Sequence, residues 1–194
     1  MLRNKEELLL HVCCAPCSTY VIDVLSEKFT VTAFFYNPNI QPAEEYERRL
    51  FEVRKYFSVC DIDLITADYE ADVWNELVRG LENEPEGCGR CEQCFKLRLQ
   101  KTAEISSEQG FSQFTTTLTV SPHKDSNLIN HIGMLAGKKS GVKYLAYDFK
   151  KNNGYSMSCD LSRQYGLYRQ NYCGCLFSKR ERKQHEKKRR KKGI

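Results

Sequence analysis

Short apolar runs alternate along this chain with longer segments whose apolar residues fall at helical spacing. The first run, Leu8-Leu9-Leu10-His11-Val12, has strand length, and Pro16, Ser18 and Thr19 followed by Val21, Ile22 and Leu25 open a helix directly after it. Residues 30–36, rich in β-branched and aromatic side chains, predict a second strand cut off by Asn37-Pro38-Asn39. Pro42 opens a helix carrying Tyr46, Leu50, Val53 and Phe57; residues 63–66 make a brief third strand, and 69–79, with the single Trp74, a further helix. After a polar loop at 82–87 a helix begins near Cys91, its apolar stripe formed by Phe95, Leu97, Leu99, Ala103 and Ile105. Residues 113–118 predict a fourth strand, a helix runs from Ser126 or Asn127 to about Gly137, and 142–147 predict a fifth strand. Asn153-Gly154 marks a turn, and 158–166 a short helix ended by Gly166.

Strands alternating with helices argue for an α/β fold: a Rossmann-like parallel sheet of about five strands, flanked by helices and wound by right-handed crossovers. A length of 194 residues suits one domain, placed at 1–178, followed by a basic tail at 179–194. The net charge of +5 is unevenly spread: residues 179–192 hold ten Lys/Arg and two Glu, so the rest of the chain is slightly acidic. Such a run suits nucleic-acid phosphates. Its first cations, Lys179, Arg180, Arg182 and Lys183, are candidate contacts, as are Tyr168 and Arg169, where tyrosines interleave with arginines.

Ten cysteines fall in tight sets, Cys13/Cys14/Cys17, Cys88/Cys91/Cys94 and Cys173/Cys175, with Cys60 and Cys159 alone. These spacings suit metal ligation better than a disulfide framework, because neighbouring thiolates can converge on one centre. The first set sits on a strand-to-helix turn, at the carboxyl edge of an open sheet where ligands bind and a helix N-terminus favours thiolate. Cys91 and Cys94 share one face of a first helical turn; Cys88 either adds a third ligand or is a loop cysteine without a role. Seven thiols, Cys13, Cys14, Cys17, Cys91, Cys94, Cys173 and Cys175, exceed the four that one centre requires. The surplus points to a second metal or to a dithiol beside a cluster. His123 and Lys124, at the turn after the fourth strand, are candidates for phosphate contact or proton donation. The N-terminus carries Arg3, Lys5, Glu6 and Glu7 without an apolar leader, and no apolar run reaches membrane-spanning length, so a reducing cytoplasm and no membrane are expected.

Four ordered motifs together resemble the cobalamin-independent epoxyqueuosine reductases, the QueH-like family. They are His11 to Ser18; Cys91 to Phe95 with Arg98-Leu99; Thr117-Leu118 through Ser121-Pro122-His123-Lys124; and Leu167-Tyr168-Arg169-Gln170 ending in Tyr172-Cys173-Gly174-Cys175. The resemblance covers nearly the whole chain except the basic tail. It implies a fold like the adenine-nucleotide α-hydrolase group, and a [4Fe-4S] cluster with an additional iron, held by the seven cysteines. It also implies reduction of epoxyqueuosine to queuosine in the anticodon loop of tRNA with a GUN anticodon. Opening the epoxide takes two electrons and two protons, so an external electron donor is implied. In this expectation Cys91 and Cys94, with some of Cys13, Cys14, Cys173 and Cys175, hold the cluster, the remaining cysteines hold the iron, and Asp148 or Asp160 completes its surroundings. Two other classes fit parts of the pattern: a zinc-containing nucleic-acid-binding module with structural cysteines, and a metal-free thiol oxidoreductase using Cys14 and Cys17.

Overall fold

The computed structural model describes residues 5–191. Five strands, β1 (Glu6–His11), β2 (Phe29–Phe35), β3 (Leu64–Thr66), β4 (Gln113–Thr116) and β5 (Lys143–Tyr144), form one sheet in the order β3-β2-β1-β4-β5, every neighbouring pair parallel. The chain first winds outward through β2 and β3, then returns to place β4 on the other side of β1. The strand order therefore reverses between β1 and β4, and a crevice opens there beyond their carboxyl ends.

Both faces of the sheet are covered, which is why β1 reads as an unbroken apolar run rather than an alternating one. Leu8 and Leu10 point into one layer with α1 (Ala15–Ser26) and α2 (Ala43–Cys60), where Val21, Leu25, Leu50 and Val53 are buried. Leu9 points the other way, into Phe95, Leu99, Ile129 and Ile132 of α4 (Gly89–Glu108) and α5 (Ser126–Ser140). Between these pieces lies α3 (Ala71–Leu77), which buries Trp74. The helix α6 (Gly154–Gln164) packs on α1, and α7 (Leu176–Lys191) carries most of the basic run, whose residues 192–194 lie outside the described residues. No helix among the described residues is long and apolar enough to cross a membrane.

Three elements differ from the sequence expectation, the first two through side-chain bonding to the backbone. β4 stops at Thr116 because its hydroxyl accepts the Leu118 N–H at 3.1 Å and turns 117–120 into a 3-10 segment. β5 covers only Lys143–Tyr144; beyond it Asn130 captures the Tyr147 carbonyl at 3.1 Å and the Thr119 hydroxyl accepts the Phe149 N–H at 3.5 Å. The last short helix starts earlier than expected, at Gly154, after Asn153 in a left-handed conformation.

Gly154 is where α6, α1 and the loop after β5 meet. A Cβ built there would overlap the Phe149 carbonyl oxygen and press on the Tyr20 ring. Gly154→Ala should therefore lower stability by about 1–3 kcal/mol, the range for forced overpacking. Urea unfolding will measure it, and a wild-type midpoint would contradict the predicted overlap.

Candidate metal centre

The first cysteine group is built where β1 gives way to α1. Cys14 is the N-cap of α1 in extended conformation, and Pro16 occupies the first turn without needing an N–H partner. The Sγ atoms of Cys13, Cys14 and Cys17 all lie within 4.8 Å of one another, the only such group of three or more metal-binding side chains among the described residues. Cys13 Sγ and Cys14 Sγ are 3.7 Å apart. Two thiolates on one tetrahedral ion, with bonds near 2.3 Å, stand about 3.8 Å apart. Hydrogen bonds from the Cys14 and Cys17 thiols hold Cys13 well below the usual thiol range, and the same hydrogen bonds to Cys13 push Cys14 up to about 12 and raise Cys17 well above that range.

The turn is pinned to β4 across the crevice. Cys13 N–H donates to Thr117 Oγ1 at 3.2 Å, and that hydroxyl lies 3.5 Å from Cys13 Sγ. Just beneath, fully buried His11 donates from Nε2 to the Tyr36 carbonyl at 3.3 Å and accepts from the Thr116 hydroxyl at Nδ1, 2.8 Å. Burial and the nearby Arg98 charge push its pKa down to about 3, so the imidazole is a neutral structural brace.

The second group joins the start of α4 to the loop before α7. Cys91 and Cys94, one turn apart, share with Cys173 and Cys175 the wall of a second, smaller space, which also includes Trp74, Arg90 and Asn39. No three of these four sulfurs are as close as the first group, among the described residues. Burial pushes the Cys91 thiol up to about 11, that of Cys94 up to about 12, and raises that of Cys175. Between the two cysteines of its loop, Gly174 has φ 151, and a Cβ there would come within 3.0 Å of Asn39 Nδ2 and 3.1 Å of Ile40 Cγ1. Only glycine lets the two sulfurs of this loop turn toward α4 so tightly.

Both groups border one large cavity of about 730 Å³, lined among others by Cys13, Cys17, Cys173, His123, Lys124, Arg169 and Arg182. Cys173, His123 and Lys124 belong to the walls of both the large and the small space. Burial disfavours charge on Lys124, but Cys173, Cys13 and Cys17 outweigh it and raise its pKa, so the ammonium stays charged beside the thiols.

The remaining expected residues are placed as follows. Asp160 is exposed and pairs with Arg163, while Asp148 faces Lys150 at 3.9 Å; neither belongs to the wall of the large cavity. Cys88 is exposed as the N-cap of α4. Cys159 lines the large cavity and accepts from Arg169 Nη2 at 3.0 Å. Tyr168 is covered by the Arg48 guanidinium, 3.5 Å from the ring centroid, with its hydroxyl donating to Glu45. Lys179 sits over the Tyr172 ring, Arg180 donates to the Glu82 carbonyl, and Lys183 is exposed. Arg98 lies in the second of the four sequence motifs without a role assigned to it there, and Arg49, Arg90 and Trp74 belong to none of them. The helical phase carries a signal for two of them: Arg49 falls beside Leu50 and three residues from Tyr46, and Arg98 beside Leu99 and three from Phe95.

A switch-point crevice bordered by Cys13, Cys17 and Cys173, with Cys91, Cys94 and Cys175 around the adjoining smaller space, defines an α/β protein with two gathered groups of thiols. A family model described as "Epoxyqueuosine reductase QueH" matches residues 8–181, and the chain belongs to that family. It is 44% identical over 180 residues to the epoxyqueuosine reductase QueH of Streptococcus pyogenes serotype M1, covering 90% of this chain and 71% of that one. It is 39% identical over 191 residues to the one of Thermotoga maritima, covering 96% and 97%. Among solved structures the fold is shared with the U34-tRNA thiolase NcsA from Methanococcus maripaludis with its [4Fe-4S] cluster. That match has TM-score 0.57 and 11% identity over 98% of this chain and 67% of that one. It is also shared with a predicted subunit of tRNA methyltransferase from Methanocaldococcus jannaschii, with TM-score 0.52 and 13% identity over 80% and 74%.

Because most of these thiols hold their protons, metal binding must displace them. Cobalt(II) titrated into metal-free protein should bind at least about tenfold more tightly per pH unit between pH 6 and 8. A pH-independent affinity would exclude the buried thiols as ligands.

Proposed function

We propose that this protein reduces epoxyqueuosine to queuosine in the anticodon loop of tRNA bearing a GUN anticodon, in the cytoplasm, with electrons from an external donor. The observation that carries this reading is the gathering of two thiol groups of different spacing around one cavity large enough for a nucleotide. The close trio Cys13, Cys14 and Cys17 suits a single iron ion, and the wider set Cys91, Cys94, Cys173 and Cys175 suits a [4Fe-4S] cluster, whose four irons spread their thiolates farther apart. When bound, the cluster passes electrons singly, and an iron with an open position polarises an oxygen as a Lewis acid.

The chain's own residues account for the rest. The reaction consumes two electrons and two protons and yields an alkene and water. Lys124, charged and shared by both walls, holds a proton where an epoxide oxygen entering between the two cysteine groups can receive it; His123 stands beside it at the mouth. The modified base leaves the anticodon stack to enter, which an unpaired loop makes cheaper. Arg169 and Arg182 on the cavity wall, with Lys179, Arg180, Lys183 and the further cations of α7, meet the phosphates around it. Tyr168 serves by fixing Arg48 and Glu45 rather than by stacking on a base.

The first experiment is anaerobic purification with iron, sulfide and zinc analysis. Brown protein with more iron than sulfide is expected; zinc without sulfide would favour a structural nucleic-acid-binding module and overturn the redox reading. Cys91→Ser or Cys94→Ser should abolish the cluster absorbance, whereas a fully loaded, active variant would sink that assignment. Truncation after residue 178 should weaken tRNA binding and flatten its dependence on salt, since every phosphate that α7 neutralises adds about one unit to the log–log slope. Unchanged affinity across salt would show that α7 does not touch the RNA.

A further inference from the structure

The wall of the second cysteine group holds hydrogen-bond donors without acceptors. Trp74 is 1% exposed and shares one buried cluster with Cys94 and Cys175, yet its Nε1–H has no partner among the described residues. A buried indole N–H ordinarily finds an acceptor, and an orphaned one marks a group that the surroundings are arranged to receive. Arg90 belongs to the same wall and is also 1% exposed. Its Nη1 reaches the carbonyls of Glu82 and Glu84, its Nη2 reaches Glu181, and its backbone N–H reaches Glu84 Oε2, while Nε alone is unpaired. Unpaired N–H groups around four cysteine sulfurs suit a sulfur-rich anion.

We propose that Trp74 Nε1–H, seconded by Arg90 Nε–H, donates a hydrogen bond to sulfur of a cluster held by Cys91, Cys94, Cys173 and Cys175, and thereby sets its reduction potential. The inference rests on the assignment of the cluster to this group. An N–H directed at thiolate or sulfide withdraws electron density from the iron and stabilises the reduced, more negative state, and the absence of water strengthens the effect. Trp74 is then a tuning residue: it touches neither substrate nor a reacting atom.

The test uses the full chain, anaerobically reconstituted with iron and sulfide. Since Trp74 is the single tryptophan, growth on a benzothiophene analogue of tryptophan replaces one N–H by sulfur and keeps the ring shape; Trp74→Phe gives a second variant. Both should retain wild-type iron and sulfide content. At the wild-type midpoint potential, the oxidised-to-reduced ratio should rise about tenfold, which is about 59 mV for one electron. In the wild type, loading should quench most of the tryptophan emission, because the ring shares a buried cluster with two of the ligands. An unchanged midpoint in the analogue protein, or full emission from the loaded wild type, overturns the tryptophan bond. Failure of the assignment itself reads differently: wild-type protein without sulfide, or Cys91→Ser protein that still carries the full cluster, would remove the cluster from this group.

Discussion

Three buried arginines hold the cysteine loops together, and the rest of the site depends on them. Arg49, from α2, donates to the Tyr172 carbonyl at 3.2 Å and the Cys173 carbonyl at 2.9 Å while Glu45 engages its Nε at 2.7 Å. Arg98, from α4, reaches Asn37 at 2.5 Å and lies 3.7 Å from Cys94 Sγ, and Asn37 in turn donates to the Val12 carbonyl beside Cys13. Arg90 fastens the loop before α4. A guanidinium taken out of water is strongly penalised unless its donors are satisfied and its charge is answered. Here loop carbonyls satisfy donors of Arg49 and Arg90, whose charges Glu45 and Glu181 answer, while Asn37 takes one donor of Arg98 and the Nε of Arg90 and of Arg98 stays unpaired among the described residues. Neither partner would tolerate burial alone.

That reciprocity explains how three loops remote in sequence can share one cavity. The switch point between β1 and β4 supplies the crevice, but it positions only the first loop and the 3-10 segment after β4. The loop of Cys173 and Cys175 follows no strand of the sheet. It is brought over by Arg49, by the Gln41 N–H donating to the Gly174 carbonyl at 2.9 Å, and by the Tyr172 hydroxyl donating to the Gln41 carbonyl at 2.7 Å. Gln170 closes the last gap, its Nε2 donating to Cys14 Sγ at 3.0 Å, so the two cysteine groups are connected by a side chain from the loop that carries one of them.

The sheet and the cysteine motifs were legible because each is written locally. A run of β-branched and aromatic residues ended by Asn37-Pro38 needs no partner to be read as a strand, and closely spaced cysteines mark a group of thiols by themselves. The lengths of β4 and β5 were not legible, since they end where Thr116, Asn130 and Thr119 capture backbone groups across the fold. Arg48 and Arg49 look alike in a sequence. The helix turns one outward onto Tyr168 and buries the other at 2% exposure under the Cys173 loop. Tyr168 and Asp160 were legible as chemistry, whereas their neighbours were not: the Arg48 guanidinium lies over the Tyr168 ring, and Asp160 pairs with Arg163.

The basic segment also gains a meaning that its composition does not carry. Glu181 and Glu186 are the only acids in α7, and Glu181 is half-buried against Arg90, its Oε1 2.8 Å from Nη2, while its Oε2 accepts the Glu86 N–H at 3.0 Å. One carboxylate thus joins the cationic helix to the loop that leads into Cys91. An exposed pair such as Arg182 with Glu186 contributes little, because water screens it. The pair to Arg90 is shielded, with the arginine side 1% exposed, and removing the glutamate would strand a buried charge beside two cysteines. The basic helix and the wall of the second cysteine group are therefore joined through the same guanidinium.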